Sequence, residues 1–146
     1  MDIVAFSRVY DAELGEIVAV EVNGRDLAEH AADVERPWAE AEGHPDSAGG
    51  YLGLQPSWLH GSERQHFTGG PGSDMACGPA DKTVLLGCEC GEPGCWPLMA
   101  RVTEGPEAIV WSDFEQPHRT WSHEGLGPFR FARARYLAAL AAVETG

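Results

Sequence analysis

The sequence predicts an α+β fold: an antiparallel sheet built from an N-terminal hairpin and a central three-stranded meander, with two main helices packed on it. Three observations lead there. Val18, Val20 and Val22 alternate with Ala19 and Glu21, which is the period of a half-buried strand. Residues 83–90, 95–103 and 108–114 are apolar runs separated by short turns rich in Gly, Pro and Glu. Leu27, His30, Ala31 and Val34 fall at helical spacing, and residues 131–143 form an Ala- and Leu-rich tail suited to a second helix. If the two β-units do not share a sheet, a two-sheet arrangement is the alternative.

Residues 2–10, rich in Ile, Val, Phe and Tyr, read as the first strand, and 16–22 as its partner. Asn23-Gly24 is a turn signal. Asp26 is placed to cap the helix that follows, because its carboxylate can accept from an amide of the first turn. Pro37 lacks an amide donor and restricts its neighbour, so it is expected to end or kink this helix, with residues 38–42 adding a further turn. Residues 51–82 carry scattered Tyr, Leu, Trp and Phe among Gly and Pro and yield no clear element. Pro97 falls inside a strand pattern, which predicts an edge or a bulge there. Arg130, Arg133 and Arg135 lie at the start of the C-terminal helix pattern, against the helix dipole, and so call for partners.

The chain has 146 residues, one domain's worth, and residues 1–146 are read as a single globular domain. Its formal charge is −13. Such a surface repels phosphate backbones, so nucleic acid is not expected as a partner. A protein partner with a basic surface would be drawn to it. No stretch reaches the roughly 18–20 apolar residues of a membrane span. The N-terminus shows no basic region followed by an apolar one, so the expected location is cytoplasmic. In that compartment four cysteines read as thiols or metal ligands rather than disulfides.

The densest chemistry is Cys88-Glu89-Cys90-Gly91-Glu92-Pro93-Gly94-Cys95. With residues 91–94 as the turn, Cys90 opposes Cys95 and Cys88 opposes Pro97. Opposed residues share a face, as do residues two apart, so the three thiols would gather at one end of a hairpin. Three uses follow: a soft metal site, most simply zinc; a redox or nucleophilic thiol; or small apolar side chains packed beneath a turn. The spacing is not that of a zinc ribbon or finger, and Cys77 stands apart from the cluster. If a metal is bound, Cys88, Cys90 and Cys95 are its expected ligands, with His118 as the fourth.

His118 belongs to a second polar cluster, Trp111-Ser112-Asp113-Phe114-Glu115-Gln116-Pro117-His118-Arg119, where a strand runs out into a loop. His60, His66 and His123 carry weaker signals. No zinc-protease helix, phosphate-binding glycine loop, nucleophile elbow or dinucleotide fingerprint is present.

These segments resemble a family of uncharacterised bacterial proteins. The resemblance rests on Asn23-Gly24-Arg25-Asp26-Leu27, on a CxCGxxGCWPL motif at residues 88–98, on a WxxFxQPHR motif at residues 111–119, and on Gly127-Pro128-Phe129-Arg130-Phe131 with Tyr136-Leu137. It implies a bacterial, cytoplasmic, single-domain protein and transfers no catalytic residue.

The leading functional expectation is a non-catalytic binding or regulatory protein, with metal binding through the cysteine cluster as its chemical option. No nucleophile, base and orienting group can be assembled from the sequence, which argues against an enzyme. The alternatives are an acidic, immunity-like inhibitor that covers a basic partner and a small thiol-dependent enzyme.

Overall fold

Alternating burial builds the first hairpin. Strand β1 (Val4–Asp11) pairs antiparallel with β2 (Gly15–Val22), and the register sets Val4 against Val22 and Phe6 against Val20, all four buried. Asn23 and Gly24 both take positive φ, and this tight turn leads into β3 (Arg25–Asp26) beside β2. The structure, a computed structural model, describes residues 1–59, 61–69, 82–90 and 96–144.

Helix α1 (Leu27–Ala41) begins as expected: the Asp26 carboxylate accepts from Ala28 N–H at 2.8 Å. It does not end at Pro37 but runs through it to Ala41. Ala39 is fully buried, and Glu42 at the helix end holds Trp121, so anchorage beyond the proline offsets its missing amide. Leu27, Ala31, Glu35 and Ala39 form the buried stripe.

The stretch left unassigned above supplies β4 (Tyr51–Leu52) and α2 (Glu63–Phe67). A capping box starts α2: Ser62 Oγ accepts from Gln65 N–H, and the Gln65 side chain accepts from Ser62 N–H. The meander follows as β5 (Thr83–Cys88), β6 (Leu98–Glu104) and β7 (Ala108–Glu115). Pro97 lies just ahead of β6, and the β5–β6 ladder bulges between Val84 and Leu86.

The C-terminal helix is shorter than its composition suggests. Residues 129–132 form a further strand, β8 (Phe129–Ala132), against β7, and α3 (Arg133–Ala141) starts only afterwards. Phe129 and Phe131 are buried while Arg130 between them is exposed, a period of two that overrides the helix-forming alanines downstream. Arg133 has the partner its position called for, Glu104 at 3.1 Å.

The fold is α+β, with antiparallel pairing throughout the two sheets. The hairpin and the meander occupy separate sheets, ordered β1-β2-β3 and β4-β5-β6-β7-β8, which is the alternative arrangement rather than the single sheet. They meet where Val18 N–H donates to Leu54 O at 2.8 Å. Gly53 permits that approach, since a Cβ there would lie 2.2 Å from Val18 O.

The shared core centres on Trp111, ringed by Phe6, Phe131 and Tyr136. Trp111 Nε1–H donates to the Tyr136 hydroxyl at 3.0 Å, and that hydroxyl donates to Phe67 O at 2.5 Å. Among the described residues no helix is long and apolar enough to cross a membrane.

Candidate functional site

The most unusual side chain in the core is a carboxylate. Glu35 sits on the buried stripe of α1 and is 0% exposed. A buried carboxylate is tolerated only when its oxygens are satisfied. Three donors from separate segments do this. Gly49 N–H donates to Oε1 at 2.9 Å; the Tyr51 hydroxyl donates to Oε2 at 2.5 Å; and His123 Nε2 lies 2.7 Å from the same oxygen. Burial, then the Glu35 charge and the hydrogen bond to it, push the Tyr51 phenol far above its ordinary value, so it remains a donor.

Gly49 can make its bond because it has no side chain. Its φ is +69°, and a Cβ would fall 2.5 Å from Ala32 Cβ and 2.8 Å from Ala28 O. The backbone thus lies directly against α1, within reach of Glu35.

Since a hydroxyl and an amide already donate to Glu35, the carboxylate acts as acceptor, and the proton of the shared contact sits on His123 Nε2. In a neutral ring that leaves the other nitrogen, Nδ1, as a lone-pair acceptor. His123 is 5% exposed, and among the described residues its Nδ1 is buried with no hydrogen-bond partner. Residue His123 also lines an open cleft of about 620 Å³.

The cleft lies between β6–β7 and the loop of residues 116–128. Its β wall carries a bulge: Met99 pairs with Glu115 and Arg101 with Ser112, so Asp113 and Phe114 together oppose Ala100. Asp113 takes φ +52°, a conformation that aspartate tolerates better than most residues. Bulges of this kind re-aim side chains beside functional sites. Here Asp113 turns onto Arg101, and Glu115 pairs with Lys82.

A second carboxylate of α1 anchors the loop wall. Glu42 accepts from Trp121 Nε1–H at 2.5 Å and lies 3.8 Å from Arg119 Nε. Arg119 in turn lies over the Trp96 ring, 4.7 Å from its centroid. Glu35 and Glu42 are seven residues apart, two turns along one face of α1. The helix therefore holds the loop at two points, His123 and Trp121. Trp96 Nε1 and Gln116 Nε2 are also buried without a partner among the described residues.

Of the four metal ligands expected from sequence, Cys88, Cys90 and His118 are described. Cys88 ends β5, half-buried and paired across the sheet with Tyr51; Cys90 is exposed, its N–H donating to Cys88 Sγ at 3.3 Å. The described part of the β5–β6 ladder ends at Leu86 opposite Leu98. Cys95, its pairing with Cys90, and the turn at residues 91–94 lie outside the described residues, as do Cys77 and His60. His118 is exposed, with its N–H donating to Gln116 Oε1 at 2.7 Å and its carbonyl accepting from Arg119 Nη1 at 3.0 Å. Among the described residues no group of three or more His, Cys, Asp or Glu could hold a metal ion.

Sequence reasoning passed over Glu35 and Tyr51 and ranked His123 among its weaker candidates. Glu35 carried a readable signal: it falls four residues after Ala31 and eight after Leu27, on the apolar stripe. His123 carried only a weak one, because its loop position says nothing about its burial. Compared with protein-family models, curated proteins and solved structures, the chain matches none of them.

Proposed function

We propose that this chain is a non-catalytic binding protein and that its ligand occupies the cleft between β6–β7 and residues 116–128. One observation carries the reading: a buried histidine among the residues lining the cleft, held by a buried carboxylate, with its second nitrogen unpartnered among the described residues. An unmet acceptor of this kind costs stability, about 1–3 kcal/mol, unless something supplies the missing donor. The cleft volume of about 620 Å³ lies in the range of small-molecule sites. Glu35 orients the imidazole, Arg119 and Trp121 are fixed from α1, and the Asp113 bulge shapes the opposite wall, so the cleft is pre-formed.

A fragment screen followed by amide NMR tests this. Small polar fragments are expected to shift the amides of residues 112–115 and 119–127. Hits confined to other faces of the molecule, or no hits at millimolar fragment, would contradict it.

A further inference from the structure

We propose that Cys88 and Cys90 form a thiol–disulfide exchange site, which closes an internal disulfide when a small disulfide without negative charge oxidises it. The site is separate from the cleft and does not depend on it. Both residues carry thiols. Cys88 is the last residue of β5, held by its pairing with Tyr51, and the chain turns at residues 89 and 90. In extended chain, residues two apart span about 6.6–7.2 Å. A disulfide needs Cα atoms about 4.4–6.8 Å apart. The turn shortens the span towards that range, and a hydrogen bond marks the approach. Cys90 N–H donates to Cys88 Sγ at 3.3 Å, so the Cys90 backbone already lies against the sulfur it would be joined to.

That amide also has a chemical effect. An N–H directed at sulfur favours the thiolate over the thiol, and the thiolate is the form that reacts. The two residues differ in access. Cys90 is exposed. Cys88 is half-buried, and Gly53, Leu54, Gln55 and Trp58 leave a crevice of only about 10 Å³ beside it, room for about one water. An incoming reagent therefore meets Cys90 first, and Cys88 is reached from Cys90. Glu89 is exposed between them in a chain of net charge −13, which repels an anionic reagent.

The exchange has two steps. The Cys90 thiolate attacks one sulfur of the small disulfide; a mixed disulfide forms on Cys90, the reagent's own S–S bond breaks, and one thiolate leaves. The Cys88 thiolate then attacks Cys90 Sγ; the Cys88–Cys90 bond forms and the second thiolate leaves. Two cysteines are oxidised, the reagent is reduced to two thiols, and the two cysteine protons pass to those thiols.

The experiment treats the reduced whole chain with hydroxyethyl disulfide at neutral pH, quenches with acid, caps remaining thiols and digests with trypsin and a glutamate-specific protease. Cleavage after Lys82, Glu89 and Arg101 puts Cys88 on residues 83–89 and both Cys90 and Cys95 on residues 90–101. The two fragments are expected to stay joined, with tandem mass spectrometry placing the bond on Cys90. Cys88→Ser should halt the reaction at the mixed disulfide on Cys90. Excess mercaptoethanol should return both sulfurs to thiols, because strained or exposed disulfides are the labile ones.

A bond from Cys88 or Cys90 to Cys95 or Cys77 would overturn the pair. A parent chain that stops at the mixed disulfide, or in which neither cysteine reacts, would overturn the exchange. So would a product that survives excess mercaptoethanol.

Discussion

Glu35 Oε2 and His123 Nε2 are 2.7 Å apart although 88 residues separate them in the chain. That contact ties the loop of residues 116–128 to α1, and through Tyr51 it ties both to the edge of the five-stranded sheet. Removing the carboxylate would strand three donors in the core. Glu35→Ala is expected to destabilise the fold by about 3–5 kcal/mol, because each of the three buried donors is left without an acceptor. Tyr51→Phe, which takes away one of those donors, should cost about 1 kcal/mol. Urea unfolding measures both, and an alanine variant within 1 kcal/mol of the parent would mean the network is not formed.

Gly49 offers a steric test of the same junction. Gly49→Ala places a methyl 2.5 Å from Ala32 Cβ at a φ of +69°, so both space and backbone oppose it. The expected loss is about 2–3 kcal/mol. Gly24→Ala is the control: φ is also positive, but nothing lies within 4 Å of the new methyl. It should cost about 1 kcal/mol, the backbone part alone. Equal losses would mean that the chain at Gly49 does not lie against α1.

Tyr51 and Tyr136 make the protein sensitive to alkali. Burial first, then Glu35, pushes Tyr51 up; burial also pushes Tyr136 up, partly offset by the Trp111 N–H and supported by the charge of Glu104. Both phenols keep their protons in the folded state at pH values where the unfolded chain gives them up. Their contribution is complete below the unfolded tyrosine value, near 10, and is lost as pH rises above it. Above that point each should add about 1.4 kcal/mol per pH unit to the fall in stability. Denaturation at stepped pH should therefore show a shallower alkaline slope for Tyr51→Phe and for Tyr136→Phe than for the parent. Identical slopes would count against buried, protonated phenols.

Much of this fold was legible because its local signals agree with the tertiary outcome. Val18, Val20 and Val22 are all buried, Asp26 caps α1, and the three strands of the meander fall where apolar runs and turns put them. Two elements were hidden by competing signals. Ser62-Glu63-Arg64-Gln65 spelled a capping box, but α2 is only five residues long and lies in a Gly- and Pro-rich stretch. Residues 129–132 look like the start of an alanine-rich helix until the pairing with β7 is known. The candidate site was less legible. The cysteine motif dominates the sequence by its density, whereas the buried dyad depends on a contact between a helix and a distant loop that no spacing rule encodes.

The account stands most directly on the proton of one imidazole. A long-range ¹H–¹⁵N spectrum of the histidine side chains at pH 7.5, with His123 assigned by a His123→Gln variant, reads which ring nitrogen carries it. The account predicts a proton on Nε2, donated to Glu35. A ring with no proton on Nε2 would contradict it, because two lone pairs would then face each other across the 2.7 Å contact with Glu35.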